Sequence, residues 1–302
     1  MNRKPGAWIV AAAVMLATGC AAGPGHGHHP RGVAGALPFW NRSRLLAAAP
    51  FLTGPKRAGE PDPAASPHTD AGVSSLKVGA LFEHSASGNH FCTASVVASP
   101  SKDLLVTAAH CINSGDGKGY NSDIVFIPGY RDGQEPYGVW TPARLLVAPQ
   151  WASSADPDYD VGFVTLQPHD GENIQDVLGA NRLGTDLGYR YLVHVTGYPD
   201  SANTPITCVN WTSEQSSTQL QFDCSGYTGG TSGSPWVIHF SSLSRTGTIV
   251  GVIGGYEQGG DTPSVSYSVR LDAATLRLYQ QALAAENTGS QQVTAENAGR
   301  KQ

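Results

Sequence analysis

From Val73 to Leu271 the chain alternates short apolar runs with polar breaks that carry Gly, Pro, Asn, Asp or Ser. A first series reads "VGALF", "CTASVVAS", "DLLVTAA", "DIVFIPGY", "ARLLVAP" and "VGFVTL". After the polar loop "PHDGENIQDVLGANRLGTDLG" a second series reads "RYLVHVTGY", "TPITCVNWTS", "TQLQFDCS", "SPWVIHF", "TIVGVIGGY" and "SVSYSVRL". These runs have the length of strands and are rich in β-branched and aromatic residues, which fit a pleated, half-buried surface; they predict antiparallel β-structure. Two sets of about six strands imply two similar sheets or barrels. In "DAATLRLYQQALAAEN" the apolar period changes to helical spacing, with Asp272 placed to cap the first turn, and this predicts one helix at about 272–286. The first strand set then occupies about 73–170 and the second about 185–270, within one domain of 73–286 followed by a polar tail, 287–302.

Upstream the text is different. Residues 21–72 are mostly Ala, Gly and Pro with scattered charge, too poor in apolar side chains to offset the entropy of ordering, and read as a disordered tether or pro-segment. One apolar piece within it, "LPFWNRSRLLAAAPFL", is suited to pack on the following domain as a propeptide, and Lys56-Arg57 is a candidate processing point. His26, His28 and His29 have no Cys or carboxylate beside them and read as solvated linker rather than metal ligands. Residues 1–20 have the layout of a secretion signal, with Asn2-Arg3-Lys4 followed by the apolar "AWIVAAAVMLA" and small residues. That run is short for a bilayer span, so the expected location is outside the cell.

Composition narrows the function. With 36 Gly, 20 Pro and 14% charged residues the chain suits a turn-rich β-protein, and a net charge of −5 gives no basis for nucleic-acid binding. Cys92, Cys111, Cys208 and Cys224 form an even set downstream of the signal, as an exported disulfide protein requires, with the pairing open at this point. Cys20 is left over. It lies in "LATGCA", which resembles the lipobox of bacterial lipoproteins except that Ala17 stands where Leu is usual. Lipidation at Cys20, which would tether the chain to a membrane by acyl chains, and plain secretion are both open.

Three stretches carry chemistry. "LLVTAAHCI" sets His110 at the end of an apolar strand, beside Cys111. In "DPDYDVGFVTL", Asp160 abuts the apolar strand directly, unlike Asp156 and Asp158, so its carboxylate sits at the mouth of the core and needs a partner; a histidine would satisfy it. In "GGTSGSPW" the glycines allow positive φ and bring N–H groups toward one point, as an oxyanion site requires. The nucleophile elbow G-x-S-x-G of α/β-hydrolases is not met, and the chain order His, Asp, Ser differs from theirs.

In this order "TAAHC", "DYDVGFVTL" and "GGTSGSPW" resemble the chymotrypsin-like (trypsin-fold) serine proteases, in particular bacterial members near the glutamyl endopeptidases. The resemblance implies an all-β fold of two six-stranded antiparallel β-barrels, with the active site in the cleft between them and a C-terminal α-helix. It also implies a catalytic triad of His110, Asp160 and Ser232. The family's G-D-S-G-G-P becomes Gly230-Thr231-Ser232-Gly233-Ser234-Pro235, so Ser232 is the expected nucleophile and Ser234 replaces a glycine. The backbone N–H groups of Gly230 and Ser232 are the expected oxyanion hole. Family precedent pairs Cys92 with Cys111, leaving Cys208 to pair with Cys224.

Three departures matter. Thr231 replaces the acidic residue that receives a new N-terminal ammonium in pancreatic-type members, so that activation switch is missing. No acidic residue stands at Gly226 or Tyr227, where trypsin's pocket floor aligns, and Ile253 stands where glutamyl endopeptidases carry a histidine. The expected function is an exported serine endopeptidase acting on proteins or peptides through an acyl-enzyme, without cofactor. A serine esterase on the same fold would share the triad and be separated by peptide-library cleavage; a non-catalytic binding module would be separated by a fluorophosphonate probe.

Overall fold

A computed structural model describes residues 33–51, 75–85 and 87–284. The expected signal peptide, Cys20, the histidines at 26, 28 and 29, Lys56-Arg57 and the polar tail lie outside the described residues. The first sheet contains β1 (Ala49–Pro50), β2 (Val78–Ser85), β3 (Gly88–Val96), β4 (Leu104–Thr107), β5 (Ser122–Pro128), β6 (Pro142–Val147) and β7 (Gly162–Leu166). The second contains β8 (Arg182–Leu183), β9 (Leu192–Gly197), β10 (Ile206–Glu214), β11 (Gln219–Asp223), β12 (Pro235–Ser241), β13 (Thr246–Val252) and β14 (Val265–Val269). Helices are α1 (Val33–Phe39), α2 (Arg42–Ala47), α3 (Pro149–Ser154), α4 (Ile174–Leu178) and α5 (273–284).

The strand orders are β5-β2-β3-β4-β7-β6 and β14-β11-β10-β9-β12-β13, every neighbouring pair antiparallel. Each six-strand path carries one short parallel addition: β1 on β3 and β8 on β13. The first path closes through paired backbone hydrogen bonds between Phe126 and Trp140 at 2.8 and 2.9 Å. The second brings β13 to β14 through Val252 N–H to Ser268 Oγ at 2.9 Å and Gly254 N–H to Tyr267 O at 3.0 Å. Closure leaves few free strand edges, which suits a chain of short strands.

Alternation explains the cores. In β2, Leu81 turns into the first barrel with Cys92, Phe126 and Val164, while Val78, Ala80 and Phe82 face outward. Those outward residues are nonetheless buried, because Ala36, Trp40 and Leu45 of the N-terminal segment cover them. Within the stretch 21–72, expected as a disordered tether or pro-segment, residues 33–51 are ordered: α1 and α2 pack on the wall of the first barrel, as the apolar piece "LPFWNRSRLLAAAPFL" suggests. Trp40 and Leu45 supply the apolar area that the surrounding Ala and Pro lack. Arg42 ties the segment down by donating to Asp132 O at 2.9 Å and Gly133 O at 3.2 Å. The second barrel is filled by Val193, Val195, Leu220, Phe222, Tyr227 and Trp236. As the sequence predicts, Asp272 caps α5, accepting from Ala274 N–H at 2.7 Å; Leu278 and Ala282 pack against Phe163 and Val237, so α5 closes the seam between the sheets.

Each sheet also buries one titratable side chain away from the cleft chemistry. Glu83 of β2 is 0% exposed, neither carboxylate oxygen has a partner among the described residues, and burial pushes its carboxyl up to about 8. His194 of β9 stacks on Phe240 at 3.9 Å, and burial lowers it to about 4.

Candidate active site

The chain leaves β4 at Thr107 and makes one tight buried turn, Ala109–Cys111, that holds His110. Cys111 is bonded to Cys92 of β3, so the turn is fastened covalently to the sheet next to the imidazole. Asp160 follows a second tight turn, Pro157–Tyr159, started by the Asp156 carboxylate accepting from Asp158 N–H at 3.1 Å. This turn delivers Asp160 to the mouth of β7 at 0% exposure.

Asp160 is fully occupied there. Its Oδ1 accepts the backbone N–H of His110 at 2.9 Å, and its Oδ2 accepts His110 Nδ1–H at 2.8 Å and Gly255 N–H at 2.8 Å. Three donors replace the water that burial removes. Because a carboxylate only accepts, the imidazole proton lies on Nδ1, and Nε2 of the neutral ring keeps its lone pair. Nε2 has no partner among the described residues, and His110 is 2% exposed.

The serine loop is fitted to this pair by two glycines. Gly230 and Gly233 have φ of +88° and +82°. A Cβ on Gly233 would collide with Thr93 O and Thr107 Oγ1 and lie 3.2 Å from Ala108 N, so the loop packs against the exit of β4, next to His110. Ser232 O accepts Thr93 N–H at 2.7 Å, and Thr93 Oγ1 donates to Gly230 O at 3.0 Å. The N–H groups of Gly233 and Ser234 are used inside the protein, by Ile253 O and Thr231 O. Those of Gly230 and Ser232 have no acceptor among the described residues. The two serines differ accordingly: Ser234 is 0% exposed with its hydroxyl spent on Thr231 O at 2.6 Å, whereas Ser232 is 8% exposed at the loop's turn.

The remaining expected residues also have places. Cys208 and Cys224 are bonded, bracing β10 to the end of β11 ahead of the serine loop. Thr231 is buried, its hydroxyl donating to Thr228 O at 2.7 Å. Tyr227 points into the second barrel, donating to Val195 O at 2.8 Å, and Ile253 joins the same core. Among the described residues the His, Cys and acidic atoms close enough to hold a metal are those of Cys92, His110 and Cys111, and both sulfurs are consumed by the bridge.

Two residues at the site carry no motif. Gln219 of β11 is 3% exposed; its amide nitrogen donates to Pro157 O at 3.2 Å and Asp158 Oδ1 at 2.7 Å, and its oxygen accepts Tyr256 N–H at 3.1 Å. It thereby ties the turn before Asp160 to the segment holding Gly255. Phe51 places its ring 5.5 Å from the His110 imidazole. The only sign of either in the sequence is the apolar character of "LPFWNRSRLLAAAPFL", which contains Phe51.

A two-barrel β-fold with a buried His–Asp pair and a glycine-shaped serine loop packed at the exit of β4 defines the class: the chymotrypsin fold. Residues 73–275 match the family model "Trypsin", so the chain belongs to the trypsin family of serine proteases. Among solved structures, the protease Anisep from Arthrobacter nicotinovorans is 27% identical, with 70% of this chain and 97% of that one covered and a TM-score of 0.64. The thermostable serine protease AL20 from an extremophilic microorganism is 25% identical, with 70% and 98% covered and a TM-score of 0.64. A Glu endopeptidase, 15% identical with a TM-score of 0.57 over 75% of this chain and 99% of that one, shares the fold. No match is found among curated proteins.

Proposed function

We propose that the chain is an exported serine endopeptidase with His110, Asp160 and Ser232 as its catalytic triad. The observation that carries this reading is the buried Asp160 holding His110 by two hydrogen bonds while Nε2 stays unpartnered. A serine hydroxyl becomes a useful nucleophile only when a neutral imidazole takes its proton as it attacks. In this reading Ser232 Oγ bonds to the scissile carbonyl carbon and its proton passes to His110 Nε2. The carbonyl electrons move to oxygen, where the N–H groups of Gly230 and Ser232 receive the charge. Collapse breaks the C–N bond, and His110 returns the proton to the departing amine; water then releases the acyl group by the same steps in reverse. Asp160 holds the tautomer and stabilises the imidazolium that forms. Two disulfides and the signal-like N-terminus support export.

The test is labelling of the purified chain with a fluorophosphonate probe. Ser232→Ala is expected to abolish labelling and Ser234→Ala to leave most of it; the reverse outcome would overturn the assignment. Cleavage of a mixed peptide library by unlabelled chain from the same preparation then separates endopeptidase from esterase.

A further inference from the structure

The edge of β3 that faces the cleft is shared by three partners in sequence. β4 covers it at Ser95 and Val96, and Ser232 O takes the N–H of Thr93. Two residues farther along, β1 pairs in parallel at His90 and Phe91, and Phe51 N–H donates to Phe91 O at 3.0 Å. Two residues of extended strand span about 7 Å, so Phe51 sits one strand step from the backbone of Ser232. Its ring lies 5.5 Å from His110 and 5.7 Å from His90, and His90 Nδ1 donates to Pro50 O at 3.3 Å. Phe91 itself packs on Gly230, where a Cβ would strike its ring. The open space beside His110, about 360 Å³, is bounded by Phe51 together with Trp151 and Gln258.

For an extended peptide that reaches Ser232 and His110 this edge offers hydrogen bonds, because an open strand edge is where a peptide backbone finds its partners. The chain's own Ala49–Phe51 already lies there. The segment also lies outside residues 73–275 that match the family, and the six-strand path of the first barrel closes without β1. What holds it is remote from the cleft: Trp40 and Leu45 are buried on the outer wall of the barrel, Trp40 Nε1–H donates to Asp123 O at 2.5 Å, and Arg42 grips the Asp132–Gly133 turn.

Building on the serine-protease reading above, we propose that residues 33–51 are a built-in inhibitor: α1 and α2 anchor the segment on the first barrel, and Ala49–Phe51 occupies the substrate edge of β3 with Phe51 over His110. The surface of β3 from His90 to Phe91 is thus an interaction site whose first occupant is this chain's own segment. A protein substrate competes with it at a high effective concentration, since the two are parts of one molecule. Full activity then requires the segment to be lifted or cut away.

The experiment compares the full-length wild type with Phe51→Ala and Arg42→Ala in hydrolysis of casein, with fluorophosphonate labelling of each chain as the count of competent sites. Phe51→Ala removes the ring from the cleft and is expected to raise casein hydrolysis about tenfold per labelled site. Arg42→Ala loosens the anchor without touching the cleft and is expected to raise it about threefold. If the segment only braces the barrel, both variants hydrolyse casein at or below the wild-type rate per labelled site and melt earlier, and the proposal is wrong. If none of the three chains labels, the serine-protease reading itself fails and this one falls with it.

Discussion

The two barrels hold their functional groups in different ways. In the first, His110 and Asp160 are fixed within the barrel: a disulfide fastens the turn, and two hydrogen bonds join the pair at 2% and 0% exposure. In the second, Ser232 rides on a loop with two positive-φ glycines, and much of what holds that loop comes from the opposite barrel, through Thr93 and the exit of β4. The debt runs both ways, since Asp160 takes a hydrogen bond from Gly255 of the second barrel. The Ser232 loop is therefore registered against the His110–Asp160 pair across the interface, by hydrogen bonds that each have a backbone group on one side at least. Such registration matters because a misplacement of about 1 Å costs on the order of 100-fold in rate.

The sharpest way to break the first barrel's contribution is Asp160→Asn. The amide is close in shape, but its nitrogen cannot accept Nδ1–H, so the imidazole is driven to the tautomer that has its proton on Nε2. Turnover is expected to fall roughly ten-thousand-fold with the fold intact. Steady-state kinetics on a peptide substrate reads this, and a variant retaining a tenth of wild-type kcat would remove Asp160 from the triad.

The next effect separates the barrels by pH. Below about pH 4.5 Glu83 is protonated whether the chain is folded or not. Between there and about pH 8 the unfolded chain releases the proton while the folded one keeps it, so the folded state loses stability as pH rises, by roughly 5 kcal/mol in total. His194 runs the other way: the folded state keeps it neutral down to about 4 while the unfolded chain takes up a proton below about 6.5, so stability is lost as pH falls through that range, by roughly 3 kcal/mol. Urea denaturation at pH 5 and pH 8 is expected to show Glu83→Gln more stable than wild type at pH 8, with the gain nearly gone at pH 5. His194→Phe is expected to show its gain at pH 5 alone. A Glu83→Gln gain that is equal at both pH values would mean that the carboxyl is not held protonated in the fold.

Strands, the capped helix, both disulfides and the serine loop were legible because each writes a local pattern: alternation, an N-cap, family spacing, clustered glycine. Glu83 was not, because one acid in "VGALFEHS" looks like an ordinary polar position, and only the barrel's closure reveals that it points inward. The segment 33–51 was legible by halves. "LPFWNRSRLLAAAPFL" carries enough apolar residues to suggest packing, but the parallel pairing with β3 joins positions some forty residues apart and has no signature in the text. The expected roles of His110, Asp160 and Ser232 rest on the order of three motifs, while most of the hydrogen bonds that fix these residues draw on a backbone N–H or carbonyl that every residue possesses.

Gln219 is the hardest of all to read from sequence, one of two glutamines in "TQLQFD", and it offers the finest test of registration across the barrels. Its amide joins Pro157 and Asp158 on one side to Tyr256 on the other, so it sets how far the Asp160 turn stands from Gly255. Gln219→Met keeps the length and most of the volume but removes all three hydrogen bonds. If the residue only supports β11, the variant melts earlier and hydrolyses peptides with unchanged kcat. If it positions Gly255 N–H against Asp160 Oδ2, kcat falls about tenfold, the equivalent of about 1.4 kcal/mol in the transition state, while KM moves less than twofold, because the loss is felt only as charge develops on the imidazole. The second outcome is expected. Combined with Asp160→Asn, Gln219→Met should then cost almost nothing further, since the carboxylate it serves is already gone.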